Sequence, residues 1–294
     1  MRRLGEASSP ETLTEKAVYK HNSINLGSSI YLPPDMSRHR EKIMSLQIIR
    51  QNTSFRDIRM SSRDNSVSLT TENEILHALA PDLKRTIAPA LKRVTLKKDT
   101  FLYQEEDLLD FIYFPETAVV SEFKMLEDGR MVEIAVTGRE GAIGLSSVYG
   151  DTVVQNGTQV SQAGTSLKID VDKFQRMLAA SEPLRMRLSR PIEMYIRQIS
   201  QKAICNMYHS VKERLCTWLL MLQDRCGSQN LNLTHEQIAR VLGVYRPSVT
   251  CIAQELREDR LIDYSRGGIL IRDRSKVERS ACACYSEMVI VAAH

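Results

Sequence analysis

The chain has 294 residues, 43% apolar and 26% charged, long enough for two ordinary domains with a core in each. Its formal charge is only +4, so overall basicity points to no polyanionic partner, and any contact with nucleic acid must rest on a local site. No run of about 18 apolar residues marks a membrane span, and the two arginines near the N-terminus have no apolar stretch behind them, so no secretory leader is expected.

Residues 1–68 are rich in Ser, Asn, Arg and Pro and lack apolar periodicity, so a poorly ordered extension is expected there. A basic arm that touches DNA is the alternative. Order is predicted from Thr71-Glu72-Asn73-Glu74, which reads as a capping box ahead of Ile75, Leu76 and Leu79. Pro81 opens a second short helix carrying Leu83, Ile87 and Leu91. Over residues 94–169 the period changes to two, as in Phe111-Ile112-Tyr113-Phe114 and the runs 119–126 and 131–136. Asp128-Gly129 between those runs suits a type I′ hairpin, and the glycines that follow suggest a small antiparallel barrel or jelly roll.

Helical spacing resumes over residues 171–178, and Glu182-Pro183 opens a long helix that Pro191 either bends or begins. Leu188, Ile192, Tyr195 and Ile199 recur at four-three-four spacing and make one apolar seam. The seam can pack on the barrel or form a dimer interface; the dimer is favoured, because a helix joining two domains has few other places to bury a stripe. Ser210 to Glu213 is a capping box, starting a helix with Val211, Leu215, Trp218 and Leu222 on one face and Gly227 at its end.

Thr234 and Gln237 form a further capping box ahead of Ile238, Ala239 and Leu242. Gly243 supplies the left-handed residue of a tight turn, Val244 to Arg246 form the turn, and Pro247 suits the first position of the next helix. Ala239 allows two helices to cross closely, while Ile238, Leu242, Val244, Val249 and Ile252 are apolar where those helices must pack. Residues 261–264 and 269–271 read as short strands around Arg266-Gly267-Gly268, a hairpin with a basic tip. Residues 233–272 therefore read as a winged helix-turn-helix, whose second helix enters the major groove of double-stranded DNA. Arg246 is expected to reach guanine O6 and N7, with a phosphate contact as the alternative. Tyr245, Ser248 and Thr250 are expected on phosphates, Arg266 on the backbone from the wing, and Cys251 and Gln254 on the groove side.

This order of elements resembles the Crp/Fnr family of bacterial regulators, and the residues from Leu233 to Thr250 are similar to its helix-turn-helix signature. The resemblance spans about residues 70–285. It implies an α+β chain with an N-terminal antiparallel β-roll or jelly-roll sensory domain, cyclic-nucleotide-binding-like in fold. A long dimerisation helix and a C-terminal winged helix-turn-helix follow. The boundaries are an extension at 1–68, the β-roll at 69–180, the dimerisation helix at 181–209, the DNA-binding domain at 210–285 and a tail at 286–294. It further implies a homodimer on two-fold symmetric DNA and contact with RNA polymerase. With no apolar span, and six cysteines that do not read as a disulfide framework, no membrane and a cytoplasmic location are the expectation. Two departures stand out. Members that read the best-known sites carry Glu and a second Arg where this chain has Pro247 and Cys251. Cyclic-nucleotide binders place an Arg for the phosphate in the stretch matching residues 151–164, where this chain has neither Lys nor Arg.

A cyclic nucleotide is therefore disfavoured, the effector is left unknown, and Glu140 of Gly138-Arg139-Glu140-Gly141 reads as structural. No cofactor and no metal are predicted, although heme and an iron–sulfur cluster stay open. Cys205 and His209 lie one helical turn apart, and Cys282-Ala283-Cys284 is a close pair. Each could supply two ligands, but buried or merely exposed thiols are the expectation. No nucleophile–base set, phosphate loop or spaced metal motif points to an enzyme. The alternative function is an effector-sensing module that regulates a protein partner without binding DNA.

Overall fold

The computed structural model describes residues 69–127, 130–150, 152–265 and 267–288, with backbone alone at Ser147 and Tyr149. The predicted extension over residues 1–68, the Asp128-Gly129 turn, Arg266 and the end of the predicted tail lie outside the described residues.

Two short helices come first, α1 (Glu74–His77) and α2 (Pro81–Ile87). The predicted capping box at Thr71 is replaced by a cap two residues further along. Asn73 is the N-cap and accepts from Leu76 N–H, while Thr71 Oγ1 instead accepts from Asn73 N–H and donates to Glu116. Three polar residues in succession offered competing caps, and the one that also reaches the Pro115 and Gly141 carbonyls is used.

Seven antiparallel strands follow: β1 (Lys92–Leu96), β2 (Phe101–Tyr103), β3 (Phe111–Pro115), β4 (Val119–Met125), β5 (Met131–Thr137), β6 (Gly157–Gln162) and β7 (Gly164–Asp170). They form one sheet in the order β1-β7-β3 and another in the order β2-β6-β4-β5. Alternating side chains of both sheets, including Leu96, Ile112, Phe114, Val120, Val160 and Leu167, meet in one core, as period-two patterning requires. Gly164 starts β7 where a Cβ would lie 2.3 Å from the Ala118 amide nitrogen, so the chain can pass that backbone only as glycine. α3 (Val171–Ala180) then seals one end, with Phe174 edge-on to Phe114 at 5.8 Å.

The helix α4 (Glu182–Tyr208) runs unbroken through Pro191. Its seam is used within the chain. Leu188 is 1% exposed in the barrel core and Ile192 packs beside it. Tyr195 donates from its hydroxyl to Glu122 at 2.6 Å, and Gln198 pairs with both the N–H and the C=O of Val136 at 2.6 and 3.0 Å. Of the four residues predicted as a dimer seam, Leu188, Ile192 and Tyr195 thus have partners in the barrel of their own chain: four-three-four spacing identifies an apolar face but not what covers it.

Next is α5 (Val211–Cys226), with the predicted Ser210–Glu213 capping box and Gly227 at φ 67°. It is buried nearly all round rather than along one stripe. Val119 and Val136 of the barrel join Leu215, Trp218 and Leu219 in a second core shared with the C-terminal elements. Those elements are β8 (Asn230–Leu231), α6 (His235–Leu242), α7 (Arg246–Glu258), β9 (Ile262–Ser265), β10 (Gly268–Ile271), α8 (Arg274–Ser280) and α9 (Cys284–Met288). β10 pairs with both β8 and β9. α9 crosses the predicted tail boundary, and Met288 is buried against Met221 and Cys205. Among the described residues, no helix is long and apolar enough to cross a membrane.

Candidate nucleic-acid interface

The geometry of α6 and α7 follows from local chemistry. Thr234 Oγ1 accepts from Gln237 N–H at 3.2 Å, and Gln237 Oε1 accepts from Thr234 N–H at 3.0 Å, so the predicted capping box is formed. Ile238, Ala239 and Leu242 are buried. Gly243, at φ 65°, ends α6 with paired closing bonds, its own N–H to Arg240 and that of Val244 to Ala239. α7 begins at Arg246, one residue earlier than predicted, with Pro247 in its first turn and no side-chain cap from Tyr245.

One side of α7 is fixed to the domain through buried Val249, Ala253 and Leu256. On the other side Tyr245, Arg246, Ser248, Thr250, Cys251 and Gln254 are exposed, Tyr245 at 86%. These are the predicted base- and phosphate-facing residues, carried together on one exposed surface. Two of them already have partners. Thr250 Oγ1 donates to the Arg246 carbonyl at 3.2 Å, and Gln254 donates to Glu258 at 3.1 Å. Beside this helix, the Tyr264 side chain of β9 stacks edge-on with His235 at 5.1 Å, and the Arg257 guanidinium lies 5.3 Å from the same ring. Burial, helped by the Arg246 charge, holds the His235 imidazole below its ordinary pKa. His235 Nδ1 is 3.1 Å from Thr250 Oγ1, so it braces α7; the sequence reading included this histidine only as part of a signature.

The described part of the wing is a β9–β10 hairpin with Gly267 at φ 86°. Arg266 lies outside the described residues.

A family model described as a Crp-like helix-turn-helix domain matches residues 213–280, from α5 through α8. This chain carries a Crp-like helix-turn-helix domain. The Crp-like domain and the barrel together are similar to solved structures over most of those proteins' lengths. FixK2 from Bradyrhizobium japonicum is 17% identical, with a TM-score of 0.57 over 66% of this chain and 98% of that one. A CRP-family transcriptional regulator from Thermus thermophilus is 20% identical, with a TM-score of 0.54 over 65% and 96%. The c-di-GMP responsive global regulator CLP of Xanthomonas campestris is 15% identical, with a TM-score of 0.54 over 65% and 98%. The fold is that of Crp/Fnr regulators, and neither the matched family nor these neighbours are enzymes. No curated protein sequence matches the chain.

The Crp-like domain is bonded to the barrel at two places. Arg225 of α5 is 5% exposed and pairs through Nε with Glu140 at 2.8 Å, while Arg139 donates to the Asp224 carbonyl at 2.8 Å. Glu140 also accepts from Gly138 N–H, so its part in the barrel is structural. On the other flank, Lys98 Nζ reaches Asn232 O and Gln237 Oε1, and Gln237 donates to Asp99 at 2.8 Å. The residue that caps α6 is thus also held by the barrel's β1–β2 turn.

Between α4 and the barrel lies a cavity of about 270 Å³, walled by Tyr103, Leu109, Asn156, Ile192 and the Glu122–Tyr195 pair. Burial pushes the Glu122 carboxyl above the usual carboxylate range, outweighing the hydrogen bonds of Tyr195 and Asn156. At the far end of α4, Cys205 and His209 meet Cys282 and Cys284. The sequence reading noted each pair but did not join them.

Proposed function

We propose that the chain is a homodimeric transcription regulator that reads two-fold symmetric duplex DNA through α7 and answers to a ligand in its barrel. The observation that carries this reading is the exposed N-terminal half of α7. Its back is locked by Val249, Ala253 and Leu256, and Arg246 stands in its first turn beside exposed Tyr245 and Ser248. A guanidinium so placed can make two hydrogen bonds to a guanine edge, while the exposed hydroxyls of Tyr245 and Ser248 suit phosphate oxygens. Thr250, whose hydroxyl already bonds within the domain, takes a supporting part; Cys251 and Gln254 lie on the groove side. Arg266 is assigned to the backbone from the wing.

For the homodimer, the supporting feature is the side of α4 turned away from the barrel. Met186, Ile204, Met207 and Tyr208 are exposed there, 46–74% accessible. At 100° per residue they fall within a single arc of the helix, opposite buried Leu184, Leu188, Gln198 and Cys205. Contact of the bound dimer with RNA polymerase follows from the family resemblance.

The signal is not a cyclic nucleotide in this reading. Among the described residues, no Lys or Arg lines the cavity, and a buried phosphate there would be uncompensated. The carboxylate that would take a ribose, Glu140, is occupied by Arg225. The cavity suits a small, uncharged or cationic molecule. In vitro selection of duplexes on the purified protein tests the DNA assignment: a two-fold symmetric sequence should emerge. Recovery of no preferred sequence would favour a protein partner instead.

Glu122 gives a pH test of the cavity. Its raised pKa means that the folded chain keeps this proton to higher pH than the unfolded chain. The associated stability is fully present below the unfolded value and is lost as pH rises through the folded one. Glu122→Gln removes that loss. The melting temperature of the variant relative to wild type should therefore rise as the pH is raised above the ordinary carboxylate range, about pH 4. A difference that stays constant with pH would show that the carboxyl is not held up by burial.

A further inference from the structure

The thiols of Cys205, Cys282 and Cys284 and the imidazole of His209 converge on one point. One ligand atom from each lies within 4.8 Å of all the others. Cys205 Sγ is 3.3 Å from Cys282 Sγ, and Cys284 Sγ is 3.4 Å from His209 Nδ1. A tetrahedral ion about 2.3 Å from sulfur and about 2.0 Å from nitrogen holds its ligand atoms roughly 3.5–3.8 Å apart. Both of these edges are close to that figure. The ligands arrive as two compact units: Cys205 and His209 one turn apart at the end of α4, and Cys282 and Cys284 where the chain passes from α8 into α9.

The three cysteines are buried, yet polar groups are aimed at two of their sulfurs. Gln201 Nε2 donates to Cys284 Sγ at 2.9 Å. Thr217 Oγ1 lies 3.0 Å from Cys282 Sγ and already accepts from Cys282 N–H, which leaves its hydroxyl proton for the sulfur. Such outer hydrogen bonds orient and charge-stabilise metal ligands. His209 is only half-buried and sits at the rim, giving an ion a way in. Three thiolates and one imidazole select a soft, tetrahedral ion, and none of the four offers the oxygen that suits calcium or magnesium. An iron–sulfur cluster holds its thiolates apart around several metal atoms, whereas these four converge on a single centre.

We propose that Cys205, His209, Cys282 and Cys284 bind one zinc ion, which ties the end of the long helix α4 to the end of the DNA-binding domain. This departs from the sequence expectation of no metal, and it does not depend on the DNA assignment.

The test uses the full-length chain, purified anaerobically without chelator. Elemental analysis should find one zinc per chain. Zinc-stripped, reduced protein titrated with Co²⁺ should develop tetrahedral visible bands and thiolate-to-cobalt charge transfer, saturating at one equivalent. Cys282→Ser and His209→Ala should each weaken cobalt binding at least tenfold. The rim position of His209 keeps the second variant informative if the first does not fold. Gln201→Ala should retain the bands and weaken binding by about tenfold. The proposal is overturned if reduced wild type shows no cobalt bands, or if both ligand variants titrate like wild type. Isolation of the anaerobic protein with a Cys205–Cys282 disulfide in place of metal would overturn it as well.

Discussion

Arg246→Ala is expected to remove discrimination at one base pair in each half-site while leaving most non-specific affinity intact. A bidentate contact to guanine is worth about 1–3 kcal/mol, which is roughly tenfold to hundredfold per half-site. Two-fold symmetry applies that loss twice on a full site. Arg246 supports no core contact: the domain is held by Val249, Ala253 and Leu256, so the variant should fold and melt like wild type. The measurement is competition of a selected site against its single-position variants at fixed salt. Retention of the wild-type preference at every position would show that Arg246 touches phosphate alone. Wild-type Co²⁺ titration of the same variant would establish that the domain is intact.

Arg225→Met should cost about 3–5 kcal/mol, because it leaves the buried Glu140 carboxylate without its Arg225 partner. For a chain of this size that lowers the melting temperature by on the order of 10 °C. The second arm is Arg225→Met with Glu140→Gln. Removing the charge as well as its partner should restore much of the loss, since the penalty lies in the unpaired ion and not in the missing contact. An additive double variant would assign the effect to packing. The Arg225 side chain does crowd Gly138, where a Cβ would lie 2.7 Å from Arg225 Cβ. Calorimetry distinguishes the two accounts, as only the electrostatic one predicts the recovery.

What was legible in the sequence was local. The Thr234–Gln237 box, the left-handed Gly243 and the small Ala239 each act within a few residues, and they specify α6, the turn and α7 without outside help. The strand alternation likewise gave both sheets, because period two depends only on which face is wet. Failures came where tertiary partners decide. The α4 seam was visible, but Leu188 and Tyr195 found the barrel, and the exposed apolar residues on the opposite side carried no comparable signal. The α5 stripe was visible, but the barrel's Val119 and Val136 cover its other face too. Arg225 and Glu140 stand 85 positions apart, and neither has a neighbour that hints at the other. Among the cysteines, helical spacing marks only Cys205 with His209; their approach to Cys282 and Cys284 needs the whole domain to be folded first.

Cys205 and Cys282 are separated by 77 positions along the chain and by 3.3 Å in space. The segment between them contains α5, the reading helices and the strands of the wing. A link across that gap would turn the segment into a closed ring, removing about 4–5 kcal/mol of unfolded-chain entropy by the loop-closure relation. That stabilisation acts through the denatured chain, so it leaves the exposed side of α7 untouched. The residues on that side could then vary with the robustness of the domain secured from behind.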